Sequence, residues 1–188
     1  MLGRRSQPPV DPELAELRTG EIVYRSPSTF IVLSDILSYW SSLGDRVDLD
    51  QERIDRYLEK LLRVRERSGN LEEWLAEGSE PLLTNTERRL ATYKAFQEVV
   101  EAITDVCAMF AADNEMGVGD DYENLDKAAG RLYDEKIKRG LETANGLRNR
   151  IVHEYNKFEN RRALENMKGL LKTIKMFEKE ARGWIRSR

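Results

Sequence analysis

The chain contains a single histidine, His153, and a potential phosphate ligand and a modifiable hydroxyl lie close to it. Arg148 stands five positions before the histidine, and Tyr155 stands two positions after it. Histidine is the side chain whose ordinary pKa lies nearest neutral pH, which suits a general acid or base. Arginine supplies a fixed positive charge, and tyrosine supplies a hydroxyl that can accept a chemical group. A functional site is therefore expected first in this segment.

Helical geometry separates the two charged members of the segment. If Leu147 and Ile151 face the core, then Arg148 lies about 60° from Ile151 and His153 about 200° from it. His153 should thus face water or a second protein surface. Arg148 and His153 are about 140° apart, with roughly 7.5 Å of axial rise between them. Either the long arginine side chain wraps round the helix, or the helix is distorted, or the site is shared with a second copy of the chain.

Asn149 and Tyr155 also have predicted positions on this helix. Asn149 and His153 are four positions apart, so their side chains are neighbours on a helix. Tyr155 lies about 40° from Ile151, at the edge of the core face.

Metal-free cleavage of RNA is a reaction that these residue types suit. It needs a base for the ribose 2′-hydroxyl, an acid for the departing 5′-oxygen and a cation for the phosphate. One chain offers one histidine, whereas a two-fold dimer would bring two histidines and two arginines to one cleft. The alternative is that an Arg-x4-His spacing in a helical protein is accidental.

The charge of the chain is unevenly distributed. Residues 1–133 hold 16 Lys and Arg against 26 Asp and Glu, and residues 134–188 hold 15 against 8, which gives balances of −10 and +7. The positive third contains the histidine segment and favours a polyanion such as nucleic acid. The alternative is that these cations simply solvate long helices.

Composition narrows the kinds of site that we expect. With one cysteine, Cys107, no disulfide can form within the chain, and no Cys/His cluster has the spacing of a zinc site. Cys107 stands among apolar residues and is predicted to be a buried structural thiol. No signal core or membrane-spanning stretch is recognisable, so we expect a cytoplasmic protein without membrane contact. We expect no cofactor and no metal.

The hydrophobic spacing predicts an all-α protein. Residues 49–188 are expected to form an up-and-down bundle of about five main helices, and residues 1–48 an added N-terminal element, partly disordered, with one or two short helices. In the N-terminal element, capping residues and apolar periodicity place a weak strand at 21–25 and helices at 11–20 and 28–43. In the bundle, the first helices are expected at 50–67 and 71–76, with a break at 68–70 between them. Later helices are expected from a Thr84-x-x-Glu87 capping box to about 113, at 124–133 after a loop at 114–122, from an Asp134 cap into the motif, and from 160 onward.

The motif closely resembles a known signature. Residues 146–155, Gly-Leu-Arg-Asn-Arg-Ile-Val-His-Glu-Tyr, are similar to the Arg, polar residue, three residues, His-x-Tyr pattern of the HepT-like branch of the HEPN superfamily. The resemblance covers roughly residues 50–185 and includes the helix order. It also includes Glu101 and Asp105, which resemble the acid-x3-Asp pattern of the family's second long helix. Residues 1–48 lie outside it.

The resemblance implies a homodimeric ribonuclease toxin of a toxin–antitoxin pair. Arg148 and His153 would form the nuclease site at a dimer cleft, and Asn149 would support it. Tyr155 would accept AMP from the cognate antitoxin, a minimal nucleotidyltransferase that uses ATP and Mg²⁺. Glu101 and Asp105 would either anchor basic residues of the motif helix or solvate a face.

Other functions remain open from the sequence. The main alternative is a non-catalytic helical adaptor that binds a nucleotidyltransferase and a nucleotide or RNA, and another is a purely structural bundle. Residue by residue, Arg148 could form a surface ion pair with Glu142 or Glu154, His153 could be an inert exposed histidine, and Tyr155 could be a tyrosine at the edge of the core.

Overall fold

The computed structural model describes the backbone of residues 24–26 and 29–31, and residues 48–153 and 159–188 in full. The chain forms two compact units, Met1–Arg46 and Val47–Arg188.

In the first unit, the described residues form a small β-hairpin. Strand β1, Tyr24–Ser26, pairs antiparallel with β2, Thr29–Ile31, with Arg25 opposite Phe30. The predicted strand at 21–25 thus overlaps a real one, but the prediction of a helix from residue 28 is wrong at its start. Thr29, Phe30 and Ile31 are β-branched or aromatic residues that favour strands. This preference outweighs the N-cap and proline signal of Ser26-Pro27, on which the predicted helix depends. The predicted helix at 11–20 lies outside the described residues.

In the second unit, every named element within residues 48–153 and 159–188 is an α-helix, and the predicted all-α class is confirmed. Five of its helices have eight residues or more within residues 48–153 and 159–188, as predicted. The helices are α1 (Gln51–Ala76), α2 (Glu80–Thr84), α3 (Thr86–Asp113), α4 (Asp121–Ala128), α5 (Glu135–His153) and α6 (Asn160–Arg186).

Four long helices close around one core. α1 packs on α3 and α6, and α5 packs on the same two helices from the other side, while α4 covers α3 and α5. The core is apolar along the predicted faces of these helices. The ring of Trp184 on α6 contacts Tyr57 of α1 edge-on at 5.5 Å and Phe110 of α3 at 5.1 Å. Burial of the aliphatic and aromatic side chains of this core stabilises the bundle.

Several predicted boundaries are wrong. α1 continues through residues 68–70, because its packing on α3 and α6 buries one side of this stretch, and the hydroxyl of buried Ser68 is satisfied by the carbonyl of Arg65 at 3.1 Å. The N-cap of α3 is Asn85 rather than Thr84, and its side chain accepts from the amide of Arg88 at 3.0 Å. The short helix α2 has no counterpart in the prediction. α4 begins at Asp121 and ends at Ala128, rather than spanning 124–133.

The prediction that Cys107 is a buried structural thiol is confirmed. Its side chain is fully buried, and its sulfur lies 3.6 Å from the hydroxyl of Tyr133, which also donates to the carbonyl of Leu125 at 2.7 Å. Burial raises the pKa of the Cys107 thiol to about 12. The thiol therefore stays protonated near neutral pH and joins α3 to the segment that precedes α5.

Candidate functional site

Helix α5 carries the motif, and its start is fixed by a cap. The carboxylate of Asp134 accepts from the amide of Ile137 at 2.8 Å, as predicted. The core-facing residues are then buried at helical spacing: Ile137, Leu141, Ala144 and Leu147. Because Leu147 is only 6% exposed, the motif that follows has one defined rotation about the helix axis.

Arg148 is anchored by its terminal nitrogens. Nη1 donates to the side-chain oxygen of Asn149 at 2.7 Å, and Nη2 donates to the carboxylate of Asp121 at 3.3 Å. The Arg148 side chain is 20% exposed, so it is held near the surface without being fully buried. The ion-pair partner among the described residues is therefore Asp121 of α4 rather than Glu142, and the other expected partner, Glu154, lies outside the described residues.

A buried polar layer lies beneath this guanidinium. Nε of Arg148 is enclosed and has no hydrogen-bond partner among the described residues. Asn145, three residues earlier, is fully buried, and both of its amide atoms likewise lack a partner there. Residues three apart on a helix are neighbours, so two unused donor groups and one unused acceptor lie together at the motif. Asn145 lies outside the motif, and no signal in the sequence marks it.

His153 is the last residue of α5 in the described part of the chain, and it is exposed. Its predicted orientation away from the core is confirmed. Within residues 48–153 and 159–188, the structure joins Arg148, Asn149 and Asp121 by hydrogen bonds but does not include His153 in that network. The helical spacing places Asn149 beside the histidine, but its side-chain oxygen accepts from Arg148 instead.

Tyr155 lies outside the described residues. Its expected position at the edge of the core face and its role as an acceptor of AMP therefore stay predictions.

The acidic residues Glu101 and Asp105 on α3 make no contact with the motif helix among the described hydrogen bonds and ion pairs. The carboxylate of Asp105 lies 2.7 Å from Nζ of Lys60 on α1, and Glu101 is exposed. Asp105 thus anchors a lysine of α1 rather than a basic residue of α5. The resemblance in sequence at this pair does not translate into contact with the motif.

Many cations of the positive third have defined neighbours. Lys175 of α6 pairs with Glu72 of α1 at 2.5 Å, and Lys168 donates to the carbonyl of Ala76 at 3.4 Å. These two lysines belong to a groove of about 630 Å³ between α1 and α6. Its lining residues are Glu72, Ala76, Lys168, Leu171, Lys172, Lys175, Met176 and Lys179. Cations thus cluster on α6 as well as at the motif, and part of their charge is offset by carboxylates.

The described residues contain neither a membrane span nor a metal cluster. None of the helices there is long and apolar enough to cross a lipid bilayer. Within those same residues, no group of three or more His, Cys, Asp or Glu side chains is arranged to hold a metal ion. The chemistry that the described site offers is that of an oriented guanidinium and a histidine on one helix.

Fold and site together define a helical bundle with a candidate anion-binding motif at the C-terminal end of α5. The sequence model of the HepT-like ribonuclease family matches residues 54–181 of this chain. That match covers more than half of the chain and includes the whole of α5. The chain belongs to the HepT-like ribonuclease family.

Sequence relatives and solved structures agree with this assignment. Two Archaeoglobus fulgidus proteins, both named as candidate RNases, are 35% identical to the chain over 124 and 102 residues. The matches cover 63% and 54% of this chain and 87% and 72% of those proteins. A tri-AMPylated HEPN toxin of Shewanella oneidensis, solved in complex with an MNT antitoxin, has a TM-score of 0.63 at 14% identity, over 69% of this chain and 98% of that one. A toxin–antitoxin complex named MntA–HpeT gives 0.62 at 15%, over 68% and 98%. At these identities the structural likeness shows the fold.

Proposed function

We propose that the protein is a metal-independent RNA endonuclease that acts as a homodimeric toxin. Arg148 binds the phosphate, His153 transfers protons, and Asn149 supports Arg148. The observation that carries the proposal is the anchored guanidinium of Arg148, held on the same helix as an exposed histidine. Membership of a ribonuclease family supports RNA as the substrate.

The proposed reaction is an internal transesterification. The ribose 2′-oxygen attacks the phosphorus, the bond to the 5′-oxygen breaks, and the products are a 2′,3′-cyclic phosphate and a 5′-hydroxyl. One His153 accepts the 2′-hydroxyl proton, and His153 of the second copy donates a proton to the departing 5′-oxygen. Arg148 neutralises the negative charge that develops on the phosphate.

The geometry of α5 supports a second copy in the site. On one ideal helix, Arg148 and His153 point about 140° apart, so one copy does not easily place both on a single phosphate. A two-fold dimer that brings the two α5 helices together would put both histidines and both arginines around one cleft.

We further propose that the activity is controlled by AMP transfer to Tyr155. The donor would be a cognate nucleotidyltransferase antitoxin with ATP and Mg²⁺. The tyrosine oxygen attacks the α-phosphorus of ATP, pyrophosphate leaves, and the hydroxyl proton is released to solvent. The AMPylated toxin with its MNT antitoxin among the solved structures of the same fold supports this part.

The test is RNA cleavage by purified, unmodified protein in the presence of EDTA, with the product ends identified. We expect 2′,3′-cyclic phosphate ends, and a loss on the order of 10²-fold or more in Arg148→Ala, since that residue stabilises charge in the transition state. Arg139→Ala, which removes an exposed cation from the same helix, is the matched control and should retain activity. Cleavage that stops with EDTA, or that yields 3′-hydroxyl ends, would contradict the mechanism. Absence of cleavage, combined with binding to a nucleotidyltransferase, would favour the adaptor instead.

A further inference from the structure

The contact between α4 and α5 assigns a role to a residue outside the motif. The carboxylate of Asp121 lies 3.3 Å from Nη2 of Arg148, across 27 residues of sequence. We propose that Asp121 is a positioning residue that fixes the guanidinium of Arg148 for the phosphate. This inference rests on the proposed ribonuclease function.

The contact with Asp121 decides which N–H groups of Arg148 bind protein and which stay available for a ligand. A guanidinium has five N–H groups. One on Nη1 is used by Asn149, one on Nη2 is used by Asp121, and the single one on Nε is enclosed by protein. One N–H on each terminal nitrogen is left for a ligand, which is what a phosphate needs for two parallel hydrogen bonds. With Asn149 alone, the guanidinium plane would be held at one end only.

Helix α4 is built to hold Asp121 still. The side chain of buried Asn124 accepts from the amide of Gly119 and donates to its carbonyl, both at 2.9 Å. The carboxylate of Asp120 caps the helix by accepting from the amide of Glu123 at 2.9 Å. Asp121 is the first helical residue, where the partial positive charge of the helix end favours a carboxylate.

Helix α4 packs on the motif helix beside this contact. The hydroxyl of Tyr122, the residue after Asp121, lies within van der Waals reach of a Cβ atom at Gly146, at 3.4 Å. Movement of α4 relative to α5 would therefore move the carboxylate of Asp121 relative to Arg148.

The negative charge of Asp121 has a second, opposing effect. It lies beside the position of an anionic substrate and weakens ground-state binding, while the orientation of Arg148 accelerates the chemical step. Asp121→Asn keeps the size of the side chain and removes the charge. It should lower kcat on the order of 10-fold to 10²-fold, as expected for misplacement of a catalytic group. KM should stay the same or fall. A merely structural role would not produce this split.

The experiment combines kinetics on a short RNA with NMR of the Arg148 Nε–H group. The resonance is assigned by its loss in Arg148→Lys. In the wild type, the enclosed Nε–H should exchange slowly with water, and in Asp121→Asn it should exchange faster. Asp121→Glu should restore part of kcat. Asp120→Asn is the matched control, because it removes one negative charge next door while asparagine still caps a helix, and it should behave as the wild type.

The kinetic measurement and the NMR measurement test the proposed function and the role of Asp121 separately. If wild-type protein does not cleave RNA, the proposed function fails, and the exchange measurement still decides whether Asp121 fixes Arg148. An unchanged exchange rate in Asp121→Asn would overturn the inference. An increase of kcat in that variant would overturn it too, because Asp121 would then act as a plug that blocks the guanidinium.

Discussion

At the scale of single residues, the proposed control depends on competition for Arg148. A phosphodiester on Tyr155 brings one negative charge and the bulk of an adenosine close to the motif. That charge can pair with the two N–H groups that Asn149 and Asp121 leave unused. Charge-assisted pairs with a phosphate are strong hydrogen bonds for a guanidinium. A modified chain should therefore lose RNA binding and cleavage together.

The residue-scale prediction concerns Tyr155→Phe. After incubation with the cognate nucleotidyltransferase, ATP and Mg²⁺, intact-mass spectrometry should show one or more AMP groups on the wild type and none at this position in the variant. The variant should still cleave RNA, because the hydroxyl takes no part in proton transfer. An adenylate on the phenylalanine variant, or full activity in the modified wild type, would show that the control acts elsewhere.

Helical periodicity is sufficient to place some of these residues. The burial of Leu147 and the exposure of His153 follow from the 3.6-residue repeat alone, and the structure has both. Asp121 cannot be found in this way. It lies 27 residues from Arg148, in a glycine-containing stretch that is typical of a loop, and only the packing of α4 on α5 brings the two together. Tertiary partners of a charged side chain are not encoded in its local spacing.

At the scale of elements, the orientation of α5 depends on its close approach to α6. A Cβ atom on Gly140 would lie 2.5 Å from Cγ2 and 2.8 Å from Oγ1 of Thr173. The absence of a side chain at Gly140 lets the two helices touch at this point. About two turns further along the same helix, Arg148 meets Asp121, so the crossing helps to set the position of the site.

We predict that Gly140→Ala destabilises the fold. The added methyl group must displace Thr173 or separate the helices, which costs about 1–3 kcal/mol for overpacking. Gly169→Ala on α6 is the matched control, because nothing lies within 4 Å of the added atom. That variant should be more stable by roughly 0.5–1 kcal/mol, since alanine favours a helix over glycine. Urea unfolding of both variants provides the measurement, and equal midpoints would contradict the proposed close packing.

The element boundaries show where sequence reasoning reaches its limit. The low helix propensity of Ser, Gly and Asn predicts a break at residues 68–70, but packing of α1 on α3 and α6 outweighs a cost of about 1 kcal/mol for one glycine. At the start of α3, the choice of Thr84 over Asn85 as cap is an error of one residue. The cap at Asp134 lies where the sequence predicts it, and its carboxylate accepts from the amide of Ile137. Asp120 caps α4 in the same way, although the sequence predicts a loop there.

At the scale of the whole molecule, one chain carries only one copy of each group that the reaction needs. The net charge of the chain is −3, so association with RNA cannot depend on the average charge and must depend on local clusters of cations. The composite site proposed above makes the dimer a requirement for activity.

We predict a homodimer in solution at micromolar concentration, with its two-fold axis near the α5 helices. Sedimentation equilibrium should give the mass of two 21.8 kDa chains. Spin labels on His153→Cys should then report one short distance between the copies, and the buried Cys107 should remain unlabelled. A monomer, or a dimer whose labels are far apart, would remove the shared cleft from the mechanism.

The most direct test of the central claim is the initial rate of RNA cleavage by His153→Ala in EDTA, measured beside the wild type at equal dimer concentration. Loss of the proton-transferring group should reduce the rate on the order of 10²-fold or more while the protein remains folded and dimeric. Because His153 is exposed, its replacement by alanine should not unfold the protein, so the loss would report on catalysis. A variant that cleaves RNA as fast as the wild type would contradict the account.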